Sequence, residues 1–265
     1  LLSHNLTPSD TVGLDRTKIR GFATEAGSAT SHTAIMARSL NIPAVVALHK
    51  IPETCSAGDT VLVDGYHGIV ILNPFESTLE EYRSLLAREE EILSDLASLR
   101  EQETATSDGK SLTLSANIEF VEELEEVGKS GAEGIGLYRT EFFYLREKEQ
   151  RGEEHQFENY RLVAEACDPH GVIIRTLDIG GDKLCPELVE NPEPNPFLGW
   201  RGIRLSLDRS HEFRTQLRAI LRASAFGKVR IMFPFISTLE ELQAAKAQMN
   251  AVKEELRVQE ITFDE

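Results

Sequence analysis

A layered α/β protein, with parallel strands covered by helices, is predicted by three features of this chain. From residue 112 onward, short apolar runs alternate four times with segments of helical period. A stretch rich in Glu, Leu, Ala and Arg separates this half from a smaller α/β pattern before it. The 265 residues, 41% of them apolar, suffice for two domains or one large barrel with a real core.

The first part runs to about residue 75. Apolar runs at 19–23, 44–48, 61–64 and 68–72, bounded by turn residues, predict strands around the helix that follows His32. Asn73-Pro74 closes this part. From 76 to about 103, Leu79, Leu85, Leu86, Leu93, Leu96 and Leu99 recur at roughly helical spacing, which predicts a long amphipathic linker helix or a helix pair. Ser107-Asp108-Gly109-Lys110 then marks a turn. Beyond it, strands are predicted at 112–118, 134–138, 172–177 and 229–233, and helices at 121–129, 153–166, 212–225 and 239–255. The expected domains are 1–75, 76–104 as a helical linker, and 105–265. Four βα units fit either an open doubly wound sheet or half of a (β/α)8 barrel, so the chain reads as part of a longer protein.

Composition excludes several classes of function. A net charge of −16 argues against nucleic acid as a partner, because neutralising phosphates requires clustered Lys and Arg. No apolar run approaches the roughly 20 residues of a membrane span, so membrane insertion is not expected. Leu1-Leu2-Ser3-His4 lacks the pattern of a signal peptide. Cys55, Cys167 and Cys185 are far apart, and His49, His67, His155, His170 and His211 show no metal-ligand spacing. A reducing, cytoplasmic setting is expected.

His32 follows Gly27-Ser28-Ala29-Thr30-Ser31, a small-residue turn leading into Thr33-Ala34-Ile35-Met36-Ala37-Arg38. A helix start presents unpaired N–H groups and a positive dipole end to an anion, and the hydroxyls of Thr30, Ser31 and Thr33 are further donors. An unperturbed imidazole, with a pKa of about 6.5, is largely neutral and nucleophilic at cytoplasmic pH. The arrangement suits a histidine that carries phosphate. It equally suits an ordinary N-cap followed by an exposed histidine.

Arg139 and Arg175 fall at the ends of predicted strands, where barrel enzymes place their active sites. Arg201 and Arg204 follow in a turn-rich stretch. Guanidinium forks grip phosphate and carboxylate, so convergent arginines suggest a small ligand with several anionic oxygens. The competing expectation is that each arginine pairs with a nearby Asp or Glu. Gly180-Gly181-Asp182-Lys183 offers a further anion nest. Gly131, Gly134 and Gly136 enter a strand instead of bridging strand to helix, so they are not a dinucleotide fingerprint.

Together these segments resemble Enzyme I of the bacterial phosphoenolpyruvate:sugar phosphotransferase system, over essentially the whole chain. Residues 30–38 resemble its phosphohistidine signature, 134–142 its first phosphoenolpyruvate-binding segment, and 175–183, 195–201 and 217–234 three further segments. The resemblance implies a swivelling phosphohistidine domain, a helical linker and the first half of a (β/α)8 TIM-type barrel. It implies that phosphoenolpyruvate phosphorylates His32 on Nε2 and that the group passes to the carrier HPr in sugar uptake. Arg139 and Arg175 would hold the substrate's phosphate and carboxylate, Arg201 would assist, and Thr11, in a segment similar to one near the family's histidine, would orient the ring. The family is a homodimer that uses Mg²⁺. Its metal ligands are expected beyond Glu265, and its HPr-binding helical subdomain before Leu1, so this chain alone is expected to be inactive. The shorter histidine motif also resembles pyruvate phosphate dikinase and phosphoenolpyruvate synthase. A dikinase-type enzyme, or a non-catalytic phospho-relay module, is therefore the alternative.

Overall fold

The computed structural model describes residues 1–6, 18–28, 32–39, 42–51, 55–100, 102–141, 151–180 and 198–265, apart from the side chains of His32, Ile35, Met36 and Ser39. The chain forms mixed α/β structure in two compact units, Leu1–Gln102 and Glu103–Glu265.

In the first unit, β1 (Leu2–Ser3), β2 (Phe22–Thr24) and β3 (Ala44–Val45) pair in parallel, with Leu2 opposite Ala23 and Phe22 opposite Ala44. Helix α1 (His32–Ser39) connects β2 to β3, and its Ala37 packs with Leu6, Phe22 and Ile42 in a small core. The run expected at 44–48 stops early because Ala47 takes φ 61, which ends the extended backbone. Strands β4 (Val61–Asp64) and β5 (Ile69–Leu72) form an antiparallel hairpin in the expected place. The Asp64 carboxylate holds its turn, accepting from the Tyr66 and His67 N–H groups at 3.0 Å each. A single helix, α2 (Glu76–Leu99), follows, and none of its residues is buried. Tyr82 of α2 donates to the same Asp64 at 2.9 Å and ties helix to hairpin.

The second unit carries β6 (Ser115–Ile118), β7 (Gly134–Tyr138), β8 (Val172–Arg175) and β9 (Val229–Met232) as one parallel sheet in sequential order. Its helices are α3 (Leu124–Ser130), α4 (Glu153–Ala166), α5 (Ile203–Asp208), α6 (Ser210–Ala223) and α7 (Leu239–Val258). Strand residues Ile118, Ile135, Tyr138 and Ile174 pack against Tyr160 and Val163 of α4 and Ile220 of α6. Tyr138 and Tyr160 meet edge to face, with centroids 5.8 Å apart. A second core joins α6 to α7 through Phe213, Leu217, Val252 and Leu256. Each such side chain contributes about 1.5–3 kcal/mol by leaving water, which fixes the sheet on its helices.

Two predicted strands of this unit are shortened by two residues or more. Residues 112–114 stay outside β6 because Leu112 N–H donates to Thr104 O and Ser111 bridges to Ala105. Strand β8 ends at Arg175, and the Leu177 N–H goes to a side chain of α6 instead of the ladder. Helix α5 has no counterpart among the predicted elements.

Candidate anion site at the carboxyl edge of the sheet

All four strands of the second unit run in one direction, so the residues that follow them gather at a single edge. Glu119 follows β6, Arg139, Thr140 and Glu141 follow β7, Thr176 to Asp178 follow β8, and Phe233 to Phe235 follow β9. Arg201 reaches the same edge from another segment. Its neighbour Gly202 donates N–H to Ile179 O at 3.2 Å, and Ile203 N–H donates to Pro234 O at 3.1 Å. Gly180 permits this approach, since a Cβ there would lie 2.4 Å from the Arg201 Cβ and its φ of 125° is disfavoured for other residues.

Each arginine is held in an ion pair, and two of them share a carboxylate. Arg139 Nη1 donates to Glu119 at 2.5 Å. Arg175 pairs with Glu141 and, at 3.3 Å, with Asp178. Asp178 also accepts from Arg201 Nη2 at 3.1 Å. The Arg201 guanidinium stacks on Phe235, 4.1 Å from the ring centroid. Arg175, Glu141, Asp178 and Arg201 are largely buried, whereas the Arg139 side chain is 40% exposed. Arg204 serves the scaffold instead, donating to the Leu198 and Gly199 carbonyls and to Glu241 at the start of α7.

The three arginines lie at one edge of the sheet, and each has a carboxylate partner. Among the described residues, three guanidiniums facing three carboxylates balance in charge at this edge, and guanidinium forks of this kind are the groups that grip phosphate and carboxylate. The sequence pattern did not single out Glu119, Glu141 or Asp178, although each lies within three residues of a strand end.

In the first unit His32 is the first residue of α1, as expected. Its side chain, Thr11, Thr30, Ser31 and the Gly181-Asp182-Lys183 segment lie outside the described residues. One expected donor is corrected: the buried Thr33 hydroxyl donates to Leu6 O at 2.8 Å, so it fastens α1 to the chain and its proton is not offered to an anion. A cleft of about 350 Å³ lined by Leu2, Leu48, Lys50, Ile51 and 70–72 contains none of the candidate residues. Among the described residues, no three His, Cys, Asp or Glu side chains gather as a metal site, and no helix is long and apolar enough to cross a membrane. Cys167 is buried in apolar surroundings that push its thiol pKa up, which makes it unreactive.

Comparison with known proteins identifies what such an edge is similar to. Residues 94–265 match the PEP-binding domain of PEP-utilising enzymes, and residues 1–68 match the mobile domain of PEP-utilising enzymes. The phosphoenolpyruvate-protein phosphotransferase of Staphylococcus carnosus is 48% identical over 97% of this chain and 45% of its own length. Those of Latilactobacillus sakei and Geobacillus stearothermophilus are 46% and 48% identical, each over 97% of the chain and over 45% and 44% of their own lengths. The chain thus spans a little under half the length of these relatives. An NMR structure titled as Enzyme I (nEIt) is 53% identical over 34% of this chain and 36% of that one, with a TM-score of 0.32.

Proposed function

The chain belongs to the phosphoenolpyruvate-utilising enzymes, and from that premise we propose that it carries the phosphohistidine and part of the substrate site of a phosphoenolpyruvate-protein phosphotransferase. The observation that carries this reading is the convergence of Arg139, Arg175 and Arg201 at one sheet edge. A trianionic substrate with a phosphate and a carboxylate needs several guanidinium forks, and Arg139 and Arg175 are the first two, with Arg201 assisting.

In the proposed reaction His32 Nε2 attacks the phosphorus of phosphoenolpyruvate. The N–P bond forms as the bond to the enol oxygen breaks, enolpyruvate departs with the electron pair, and it takes a proton on carbon to become pyruvate. The arginines stabilise charge on the transferring group, and in-line placement of the imidazole provides the rest. Thr11 would orient the ring. The phosphoryl group then passes to the carrier protein HPr, serving sugar uptake in the cytoplasm.

The architecture proposed with this reaction is a swivelling domain at 1–75, a helical linker at 76–104 and the first half of a (β/α)8 barrel at 105–265, in a homodimeric parent. Sequential strand order supports the half-barrel over a doubly wound sheet, whose order reverses at a switch point. The match of residues 1–68 to a mobile domain supports the swivel. Mg²⁺ is the family's expected cofactor. Among the described residues no three His, Cys, Asp or Glu side chains gather as a metal site.

The test uses the full-length protein with ³²P-phosphoenolpyruvate and Mg²⁺. Label is expected on His32, and His32→Ala is expected to lose it. Label persisting in that variant overturns the assignment, and labelling from ATP in place of phosphoenolpyruvate favours the dikinase-type enzyme.

A further inference from the structure

Gln216 lies on α6, immediately before the segment 217–234, and is buried to 1% exposure. Its amide oxygen accepts the Leu177 N–H at 2.9 Å. Its amide nitrogen donates to Thr140 Oγ1 at 2.9 Å and to Tyr160 Oη at 3.2 Å. The orientation of the amide is forced, because a backbone N–H can only donate. The Thr140 hydroxyl in turn donates to Arg175 O at 2.8 Å, and the Tyr160 hydroxyl donates to Gln156 Oε1 at 3.1 Å. One amide therefore holds residue 140, between Arg139 and Glu141, and residue 177, beside Asp178 and two positions past Arg175.

The strand ladder does not do this by itself. Between β7 and β8 the register shifts: Ile135 opposes Val172, but Tyr138 opposes Ile174, so three steps on β7 meet two on β8. An extra residue of this kind loosens pairing and bends a strand. It lies immediately before Arg139. Where the ladder is irregular, the Gln216 amide sets the spacing.

We propose that Gln216 is a positioning residue that fixes Arg139 relative to Arg175, and hence the spacing of the two anion-binding forks; this rests on the phosphoenolpyruvate reading above. Losing it loosens the grip on bound substrate and on the transferring group alike, which raises KM while leaving kcat nearly unchanged.

The experiment is steady-state phosphoryl transfer from phosphoenolpyruvate through His32 to excess HPr, with Mg²⁺, in the full-length protein. Gln216→Met, similar in length but without the hydrogen bonds, is expected to raise KM tenfold or more with kcat within threefold. Thr140→Val should do the same, and Thr140→Ser, which keeps the hydroxyl, should stay near wild type. A merely structural role would lower the active fraction, and with it apparent kcat, at unchanged KM, and that result overturns the proposal. If Gln216→Met does not fold, the Thr140 pair decides on the same criteria. Wild-type protein that takes no phosphoryl group from phosphoenolpyruvate overturns the functional reading instead. The clamp is then read from amide exchange at Leu177, which should accelerate at least tenfold in Gln216→Met; unchanged exchange overturns it.

Discussion

Asp178 is where the charge balance of the site is concentrated, since its two oxygens serve Arg201 at 3.1 Å and Arg175 at 3.3 Å, all within a largely buried edge. Asp178→Asn keeps the shape and removes the charge that faces both buried guanidiniums. Breaking a buried pair from one side costs about 3 kcal/mol. The urea midpoint of the second unit should fall accordingly, and an unchanged midpoint would show that the pair is not holding the edge together. At this scale the sequence was legible where function follows a local pattern. Arg139 and Arg175 stand directly after or at the end of apolar runs, and that position alone marks the edge of a parallel sheet. Gln216 was not legible, because its partner Thr140 is 76 residues away and nothing in a helical period distinguishes a buried glutamine from an exposed one. Thr33 misled for a related reason: a hydroxyl at a helix start looks like an anion donor until the tertiary fold supplies Leu6 O.

Among the elements, the hairpin of the first unit and helix α2 are joined by one carboxylate, which makes their junction sensitive to acid. Burial on its own would raise the Asp64 pKa, but hydrogen bonds from the His67 backbone and ring and from Tyr82 outweigh it and bring the value down to about 2 from an ordinary 3.8. A carboxylate whose folded pKa is depressed stabilises the fold fully above its unfolded value. That contribution is lost as pH falls from about 4 through about 2, and it amounts to about 2 kcal/mol. Acid titration followed by the fluorescence of Tyr82 and by helical circular dichroism should show the junction loosening in that window, and Asp64→Asn should flatten the response; an identical acid profile in the variant would refute the anchor. Element type followed from periodicity, and several ends followed it too: β4, β7 and α4 begin and end where expected, α4 without a side-chain cap. The start of α7 was legible because Thr238 accepts from Glu241 N–H while the Glu241 carboxylate accepts from Thr238 N–H, both between near neighbours. The end of β8 was not, because a helix residue distant in sequence takes the Leu177 N–H.

For the whole molecule, the decisive fact is that the proposed reaction draws on two units: His32 belongs to Leu1–Gln102, and the arginines belong to Glu103–Glu265. Transfer between groups on separate folding units depends on the tether that keeps them in one molecule. A covalent connection of this kind supplies an effective concentration in the millimolar range when it permits approach. Helix α2, 24 residues and so about 36 Å long, lies just before the boundary between the units. A protease site placed at residues 101–103 of the full-length protein separates them without touching either core. In intact protein, kept at concentrations where the proposed homodimer stays formed, the rate constant of His32 phosphorylation at saturating phosphoenolpyruvate should not depend on protein concentration. After cleavage, at about 1 μM, it should drop on the order of a thousandfold and rise linearly as the second unit is added. A cleaved protein that keeps the intact rate at every dilution would mean that the units hold each other without the chain, and a concentration-dependent rate in intact protein would mean that His32 is served by the arginines of another molecule.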